Sequence, residues 1–283
     1  MVIRHLPVSR PPRTAFVLGG GGNLGAVQVG MLRAVIDRGY VPDVVVGCSV
    51  GALNSAIVAA DPSPAGIRQL ADIWLSIRNE DLLPTGRLSA VRLLTRRSMS
   101  MVPNDGLRQL IAGSLPFPRF EDWPIRLEVV ATSLTSGGEK WFGRGPVEPA
   151  VLASSALPGV LPPVEIDGEM FIDGGVVNNV PISRALELGA ERVVVFHVGN
   201  FQRPRPAPRR PLDVLLQSFS IARNHRFGAD LARVPPDVEM IVLPGIDPSP
   251  LRYNDFGRSS QLIERGHAAT AAYLDRLESA VSL

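Results

Sequence analysis

The stretch Asp43–Asn54 reads DVVVGCSVGALN and passes from β-branched residues through a Gly-x-Ser-x-Gly motif into an apolar helical pattern. This order predicts a buried strand, a sharp turn with Ser49 at its apex, and a helix. Gly47 and Gly51 would let the strand and the helix approach closely. The first N–H groups of the helix would lie beneath the Ser49 hydroxyl, where they favour negative charge. We therefore predict that Ser49 is a nucleophile; a purely structural turn is the alternative.

A second turn of this kind opens the chain. An apolar strand pattern at Thr14–Leu18 is followed by GGGGNLG at residues 19–25 and by a helical pattern that runs to Ile36. Strand, turn and helix thus occur twice in succession, which predicts a parallel sheet with crossover helices. Because the turns after parallel strands emerge at one edge of a sheet, we expect Gly20–Gly22 to share a crevice with Ser49. The bare N–H groups of such a turn bind anions.

The glycine turn also fits a dinucleotide-binding fingerprint. The sequence GGGNLG at residues 20–25 has the Gly-x-Gly-x-x-Gly spacing between a strand and a helix. That fingerprint requires an acidic residue at the far end of the second strand. Asp43 precedes that strand, and residues 47–49 at its far end contain no carboxylate. A non-catalytic binder of a nucleotide or an acyl ligand therefore remains only as an alternative.

A serine hydroxyl needs a general base, and two residues are candidates. Asp173 ends an apolar strand pattern and precedes Gly174 and Gly175, which would let backbone and substrate approach; an aspartate in an ordinary turn is the alternative. The order Ser49, Asp173, His197 also permits the triad of an α/β-hydrolase. That fold places its elbow after several strands, whereas one strand precedes it here, and His197 lies inside an apolar strand pattern typical of a core histidine. The remaining histidines, expected in the leader or on polar helix faces, are His5, His225 and His267.

The whole chain is predicted to form one α/β domain with a mostly parallel central sheet flanked by helices. Residues 1–13 are expected to be a leader and residues 14–283 the domain. Hairpin patterns occur at residues 126–142 and 164–172. We expect the helix–strand–helix extension at residues 200–283 to add its strand to the same sheet.

Composition excludes several classes of protein. The 283 residues are 45% hydrophobic, and 29 basic residues against 27 acidic ones give a net charge of +2. The sequence contains no basic stripe with aromatic residues, so we do not expect it to bind nucleic acid. The single cysteine, Cys48, excludes an internal disulfide and a Cys-rich zinc site. Because no His, Cys and Asp residues have the spacing of metal ligands, we expect neither a metal nor a cofactor.

No segment predicts insertion into a membrane. The leader lacks the apolar core of a signal peptide, and the longest apolar run, residues 44–60, is interrupted by polar residues. We therefore expect a cytoplasmic protein. Residues 82–101 and the Pro/Arg loop at residues 201–211 are candidates for peripheral contact with an anionic membrane surface, with Arg for phosphate and Leu or Met for acyl chains. An ordinary solvated face is the alternative, and the oligomeric state is left open.

Four blocks of sequence, in this order, resemble the patatin-like phospholipase family. They are residues 19–25 (GGGGNLG), 47–51 (GCSVG), 153–158 (ASSALP) and 173–175 (DGG). Asn178 and Pro181 also match, and the similarity covers roughly residues 15–189. The motif glycines outside the oxyanion-hole candidates are Gly25, Gly47, Gly51, Gly174 and Gly175.

The resemblance implies a patatin-like fold and a serine esterase with a Ser–Asp dyad that needs no histidine. Ser49 would be the nucleophile and Asp173 its proton acceptor. The substrates would be carboxylic esters of phospholipids, lysophospholipids or acylglycerols, cleaved through an acyl-enzyme. One departure is Leu24, because the family usually has Arg or Lys there; backbone donors do not require that cation, but the preference among head groups is left open. The glycines whose amides would form the oxyanion hole are Gly20, Gly21 and Gly22.

Overall fold

The computed structural model describes residues 13–78, 80, 100, 102–199, 207–208, 211–246 and 255–281. The leader at residues 1–13 and the two candidate membrane-contact stretches, 82–101 and 201–211, lie almost wholly outside the described residues. The strands are β1 Thr14–Leu18, β2 Val44–Cys48, β3 Arg126–Ser133, β4 Glu139–Phe142, β5 Val164–Ile166, β6 Glu169–Asp173, β7 Arg192–Phe196 and β8 Glu239–Val242. The helices are α1 Gly25–Ile36, α2 Val50–Ala60, α3 Pro64–Ser76, α4 Asp105–Ser114, α5 Val147–Ser154, α6 Ile182–Glu187, α7 Pro211–Leu231 and α8 Ser259–Val281.

The strands form one mixed sheet in the order β5-β6-β3-β2-β1-β7-β8, with β4 also paired to β3. Strands β1, β2, β3, β7 and β8 run parallel to their neighbours among themselves. Strands β4, β5 and β6 are antiparallel additions. The prediction of an α/β fold with a mostly parallel central sheet is therefore confirmed. Because β8 pairs with β7, the C-terminal segment adds its strand to the same sheet.

The central strands are apolar throughout because helices cover both faces of the sheet. Along β1, Phe16 and Leu18 face one core, whereas Ala15 and Val17 face the other. Helices α1, α2, α3, α5 and α8 pack on the first face, and α6 and α7 pack on the second. Full burial of a large apolar side chain stabilises the fold by about 1.5–3 kcal/mol. Two-sided burial explains why these strands are continuous apolar runs and not alternating patterns.

Helix α8 crosses α1 at short range because each helix has a glycine at the crossing. A methyl group on Gly30 would lie 2.0 Å from the carbonyl oxygen of Ile263, and one on Gly266 would lie 2.4 Å from that of Val27. This contact packs α8 closely against α1, the helix that follows the glycine turn. Within the described part of the chain, neither α8 nor any other helix is long and apolar enough to cross a bilayer.

Strand β3 positions the candidate site because two strands share one of its edges. Val130 pairs with Cys48 of β2 on one side and with Trp141 of β4 on the other. Ala131, the next residue, pairs with β4 again and with Asp173 of β6. Strand β6 therefore continues along the edge at which β2 ends. As a result, the last residue of β6 meets the turn that follows β2.

Candidate active site

The turn between β2 and α2 has the geometry that its sequence predicts. Ser49 adopts φ 54° and ψ −127°, a conformation that residues with a side chain rarely occupy. A methyl group on Gly51 would lie 2.2 Å from the carbonyl oxygen of Leu18, and one on Gly47 would lie 2.5 Å from Oγ of Ser55. Both glycines are therefore required for the close approach of α2 to the sheet. Strain of this kind is characteristic of functional sites.

The Ser49 hydroxyl donates a hydrogen bond directly to the carboxylate of Asp173. The distance between Ser49 Oγ and Asp173 Oδ2 is 2.7 Å. The other carboxylate oxygen, Oδ1, accepts the N–H of Gly175 at 2.7 Å. The backbone of Asp173 is held as well, because its N–H donates to the Ala156 carbonyl and its carbonyl accepts from Thr132 Oγ1. The structure thus brings the two predicted catalytic side chains together and fixes the orientation of the carboxylate.

Burial changes the acid–base properties of Asp173. The residue is 2% exposed, and this loss of solvation raises the pKa of its carboxyl group above the ordinary value of 3.8. The positive charge of Arg223, the Ser49 hydroxyl and the Gly175 N–H each act in the opposite direction, and the net pKa remains raised. A carboxylate with a raised pKa is a stronger base than an exposed one. Asp173 must be deprotonated to accept a proton, so its basic form is present above that raised pKa.

The glycines next to Asp173 allow two close contacts. A methyl group on Gly174 would lie 2.3 Å from the carbonyl oxygen of Val130. One on Gly175 would lie 2.6 Å from Oδ1 of Asn179. Neither Gly174 nor Gly175 therefore has room for a side chain.

The glycine turn after β1 lines the same cavity as Ser49 and Asp173, but its three amides are not equivalent. The N–H of Gly20 donates to the carbonyl oxygen of Asn179 at 3.1 Å. The N–H groups of Gly21 and Gly22 make no hydrogen bond with any other described residue. The N–H of Gly20 is therefore already bonded, whereas those of Gly21 and Gly22 have no acceptor among the described residues. That Gly20, Gly21 and Gly22 form an oxyanion hole stays a prediction.

Packing requires glycine at two further positions of this turn. A methyl group on Gly21 would lie 2.4 Å from Cγ2 of Val198, and one on Gly25 would lie 2.4 Å from the Trp74 ring. Gly22 adopts φ 59°, in the left-handed region that favours glycine. The glycine turn and the start of α1 therefore pack closely against Val198 and Trp74, which line the cavity.

Ser154, at the end of α5, supports the nucleophile. The N–H of Ser49 donates to Ser154 Oγ at 2.8 Å. The buried Ser154 hydroxyl thus accepts the N–H of a residue whose backbone is strained. This hydrogen bond explains structurally why the 153–158 block belongs with the Ser49 turn.

The three described histidines take no part in the contact between Ser49 and Asp173. His197 lines the cavity, but it stacks on Phe227 with a ring separation of 5.1 Å. Burial lowers the pKa of His197 to about 4, so its imidazole is neutral at pH 7. His225 lines a separate surface groove on α7, and the backbone N–H of His267 lies at the α1–α8 crossing. His5 lies outside the described residues.

The remaining alternatives find little support in the geometry. Asp43, the carboxylate considered above for the dinucleotide-binding fingerprint, accepts the N–H of Thr14 at the amino end of the strands. It is therefore far from the glycine turn, which follows the carboxyl end of β1. In the described part of the chain, no three His, Cys, Asp or Glu side chains come together as a metal site would require.

A cavity of about 380 Å³ opens above Ser49. Ser49, Asp173 and the glycine turn line it, together with Ser220, Arg223 and Asn224 of α7. Most of the remaining lining is apolar and comes from α2, α3, α4, the loop after α5 and the turn before α8, while Ser155, Asn179 and His197 add polar groups. The larger apolar side chains include Leu24, Leu53, Trp74, Leu107, Ile111, Leu161 and Phe256. The cavity thus combines an apolar lining, here called the apolar lobe, with a hydroxyl–carboxylate pair.

Two residues of the site, Arg223 and Asn179, carried no recognisable sequence signal. They lie next to Asp173 and the glycine turn through tertiary contacts alone. Ser154 belongs to a recognised block, but its hydrogen bond to the Ser49 amide cannot be deduced from spacing. Each of these residues comes from an element distant in sequence from the residue that it contacts.

Comparison with known proteins shows which family this chain is similar to. A family model described as patatin-like phospholipase matches residues 16–186. Patatin-like phospholipase domain-containing protein 7 of Rattus norvegicus is 33% identical over 205 residues, which are 70% of this chain and 15% of that protein. An uncharacterized NTE family protein of Mycobacterium bovis is 30% identical over 190 residues, 66% of this chain and 49% of its own length. The chain therefore spans half or less of these relatives.

Among solved structures, VipD from Legionella pneumophila aligns with 95% of this chain and 68% of its own, at 17% identity and a TM-score of 0.47.

Proposed function

The chain belongs to the patatin-like phospholipase family, whose members are lipid-hydrolysing serine esterases, and from this premise we propose that it hydrolyses carboxylic esters of lipids with Ser49 as nucleophile and Asp173 as general base. One observation carries the proposal. A hydrogen bond of 2.7 Å joins Ser49 Oγ to Asp173 Oδ2, and both residues line a mainly apolar cavity. A nucleophile and a base within hydrogen-bond distance are the minimum that acyl transfer requires.

The reaction would proceed in two steps. Asp173 accepts the Ser49 proton while Oγ attacks the ester carbonyl, and the negative charge develops on the carbonyl oxygen. We propose that the N–H groups of Gly21 and Gly22, which have no acceptor among the described residues, hold that oxyanion. Losing one such donor typically lowers the rate about 100- to 1,000-fold. The alcohol leaves with the proton returned by Asp173. Water then attacks the acyl-enzyme with Asp173 again as base, which releases the fatty acid and restores Ser49.

The shape of the cavity favours a substrate with an acyl chain. Apolar side chains line most of it, and the Ser49 hydroxyl and the Asp173 carboxylate belong to the same lining. We propose that an acyl chain occupies the apolar lobe with its ester carbonyl at Ser49. We propose phospholipids, lysophospholipids or acylglycerols as the substrate class, and the relatives named as patatin-like phospholipase domain-containing proteins support this choice.

A fluorophosphonate probe and a panel of esters test the proposal. The purified protein should incorporate the probe and hydrolyse p-nitrophenyl butyrate and at least one lipid of the proposed class. Ser49→Ala should abolish labelling and hydrolysis, and Asp173→Asn should reduce both by at least about 100-fold, the scale of a lost general base. Ser218→Ala, an exposed serine of α7, is the matched control and should leave both unchanged. Labelling that persists in Ser49→Ala would refute the assignment.

The same experiment separates the rival functions. An α/β-hydrolase that used His197 as base would lose its activity in His197→Ala, whereas the Ser–Asp dyad should retain activity within roughly tenfold. A non-catalytic binder would show neither labelling nor hydrolysis in the wild type. For a nucleotide binder, added nucleotide would instead raise the melting temperature.

A further inference from the structure

Arg223 reaches the site from α7, an element outside the segment that the family model matches. Its Nε donates to the carbonyl oxygen of Gly175 at 2.7 Å. Its Nη2 lies 4.0 Å from Asp173 Oδ1, and its side chain is 20% exposed. The guanidinium therefore contacts both the turn that follows the candidate base and the side of the carboxylate that faces away from Ser49.

The two contacts use different parts of one guanidinium. The Nε bond anchors the turn whose Gly175 N–H binds Asp173 Oδ1. The Nη2 group places positive charge beside that same oxygen. With Oδ1 held on this side, Oδ2 remains free to accept from Ser49. Lysine has a single charged nitrogen and cannot reproduce both contacts with fixed geometry.

We propose that Arg223 is a positioning residue of this site, which anchors the turn after Asp173 and stabilises the ionised carboxylate so that Oδ2 is presented to Ser49. The proposal rests on the function proposed above and names a residue of α7 on which that function depends. Arg223 acts through Asp173 and does not need to touch the substrate.

The other titratable groups around Asp173 do not offer an equivalent charge. Burial and the neighbouring Asp173 charge raise the pKa of the Cys48 thiol well above its ordinary value, so it stays neutral. His197 is neutral at pH 7 because burial lowers its pKa to about 4. Glu139 is paired with Arg226 of α7 at 3.0 Å. Among the described residues, Arg223 is the charged side chain that lowers the pKa of Asp173 against the effect of burial.

The test is the pH profile of kcat/KM for p-nitrophenyl butyrate, a neutral ester without a head group, in Arg223→Met and Arg223→Lys. In Arg223→Met the acid limb should move to higher pH, with a loss of about tenfold or more at pH 6 that becomes smaller toward pH 9. Arg223→Lys should keep the acid limb near that of the wild type, because it retains the charge. Arg233→Met removes an exposed arginine beyond the end of α7 and should leave the profile unchanged.

A loss in Arg223→Met that is equal at all pH values, or an acid limb that does not move, would overturn the proposal in favour of a purely structural contact. If Arg223→Met does not fold, Arg223→Gln is measured in its place. If the wild type hydrolyses no ester and takes up no fluorophosphonate, the proposed function fails, and ¹³C NMR titration of Asp173 decides the Arg223 proposal alone. The carboxyl of Asp173 should then titrate at higher pH in the neutral variant than in the wild type, and an unchanged titration would refute the proposal.

Discussion

Replacement of Ser49 by glycine should yield a protein that is inactive but more stable than the alanine variant. Both variants lose the hydroxyl and leave Asp173 Oδ2 without its donor, so that loss cancels between them. They differ in the backbone, because alanine must retain the conformation with φ 54° and ψ −127°. Glycine adopts such a conformation without steric conflict.

The magnitude follows from two opposing terms. A residue with a side chain in a sparsely populated backbone region loses about 1–3 kcal/mol. Glycine in the unfolded chain has more conformational freedom than alanine, which offsets this gain by about 0.4–1 kcal/mol. Central values leave Ser49→Gly about 1 kcal/mol more stable than Ser49→Ala, which corresponds to roughly 2–4 °C in melting temperature for a chain of this size.

Urea denaturation and thermal melting of both variants measure this difference. The matched control is the pair Ser218→Gly and Ser218→Ala at an exposed position in the middle of α7. There glycine should be less stable than alanine by about 1 kcal/mol, because it weakens a regular helix. The expected result is therefore a reversal of sign between the two sites. If glycine at residue 49 is no more stable than alanine, the turn is not strained and the reasoning fails.

Three further predictions follow from burial, packing and the shape of the cavity. Asp173→Asn should melt at a higher temperature than the wild type at pH 7, because the raised pKa means that the ionised carboxylate destabilises the fold. The difference should shrink as pH falls from the raised pKa of Asp173 toward the ordinary value of 3.8 and vanish below it, and a lower melting temperature of Asp173→Asn at pH 7 would contradict this. Gly51→Ala should destabilise the protein by about 1–3 kcal/mol in urea denaturation, since its methyl group would lie 2.2 Å from a backbone oxygen. Gly113→Ala, which has no atom within 4 Å of the added group, should instead gain about 0.5–1 kcal/mol. For p-nitrophenyl esters of increasing acyl length, kcat/KM should rise by up to about fourfold per added CH₂ until the apolar lobe is filled. Leu107→Gln should make this rise smaller. A wild-type kcat/KM that does not depend on acyl length would refute the role of the lobe.

Local patterns were sufficient to predict the part of the fold that repeats. Two successive strand–turn–helix units specify parallel strands, and parallel strands bring their following turns to one edge. The glycine turn and Ser49 were expected to meet for this reason, and they line one cavity. The strength of this prediction comes from the short crossover between β1 and β2, which leaves few topologies open.

The position of Asp173 could not be predicted in the same way, because β6 is antiparallel to β3. Its pairing depends on β3 extending beyond the end of β2, from Ala131 to Ser133, and on the hairpin of β5 and β6 pairing there. A hairpin pattern states that two strands pair with each other but does not specify which sheet edge receives them. The sequence therefore indicated Asp173 as a candidate general base through its glycines and the family resemblance, whereas its distance from Ser49 could be read only from the structure.

The sequence predicted less about residues that act through tertiary contacts. The amide of Gly20 is indistinguishable in sequence from those of Gly21 and Gly22, and only the neighbouring Asn179 carbonyl removes it from the donor set. Arg223 lies in a helix whose pattern predicts its secondary structure but not the neighbour that each side chain contacts. Where no local pattern distinguishes one glycine or arginine from the next, the packing of distant segments decides.

The strained serine and the buried carboxylate are each unfavourable in isolation, and the proposed reaction gives a reason for their combination. When Ser49 attacks, its proton moves to Asp173, so a negative charge that burial disfavours is neutralised as the reaction begins. The charge appears instead on the substrate oxygen, next to the amides of Gly21 and Gly22, which have no acceptor among the described residues. Charge thus moves from a site where solvation is missing to one where donors are in place. An apolar cavity strengthens both effects, because electrostatic interactions increase as water is excluded.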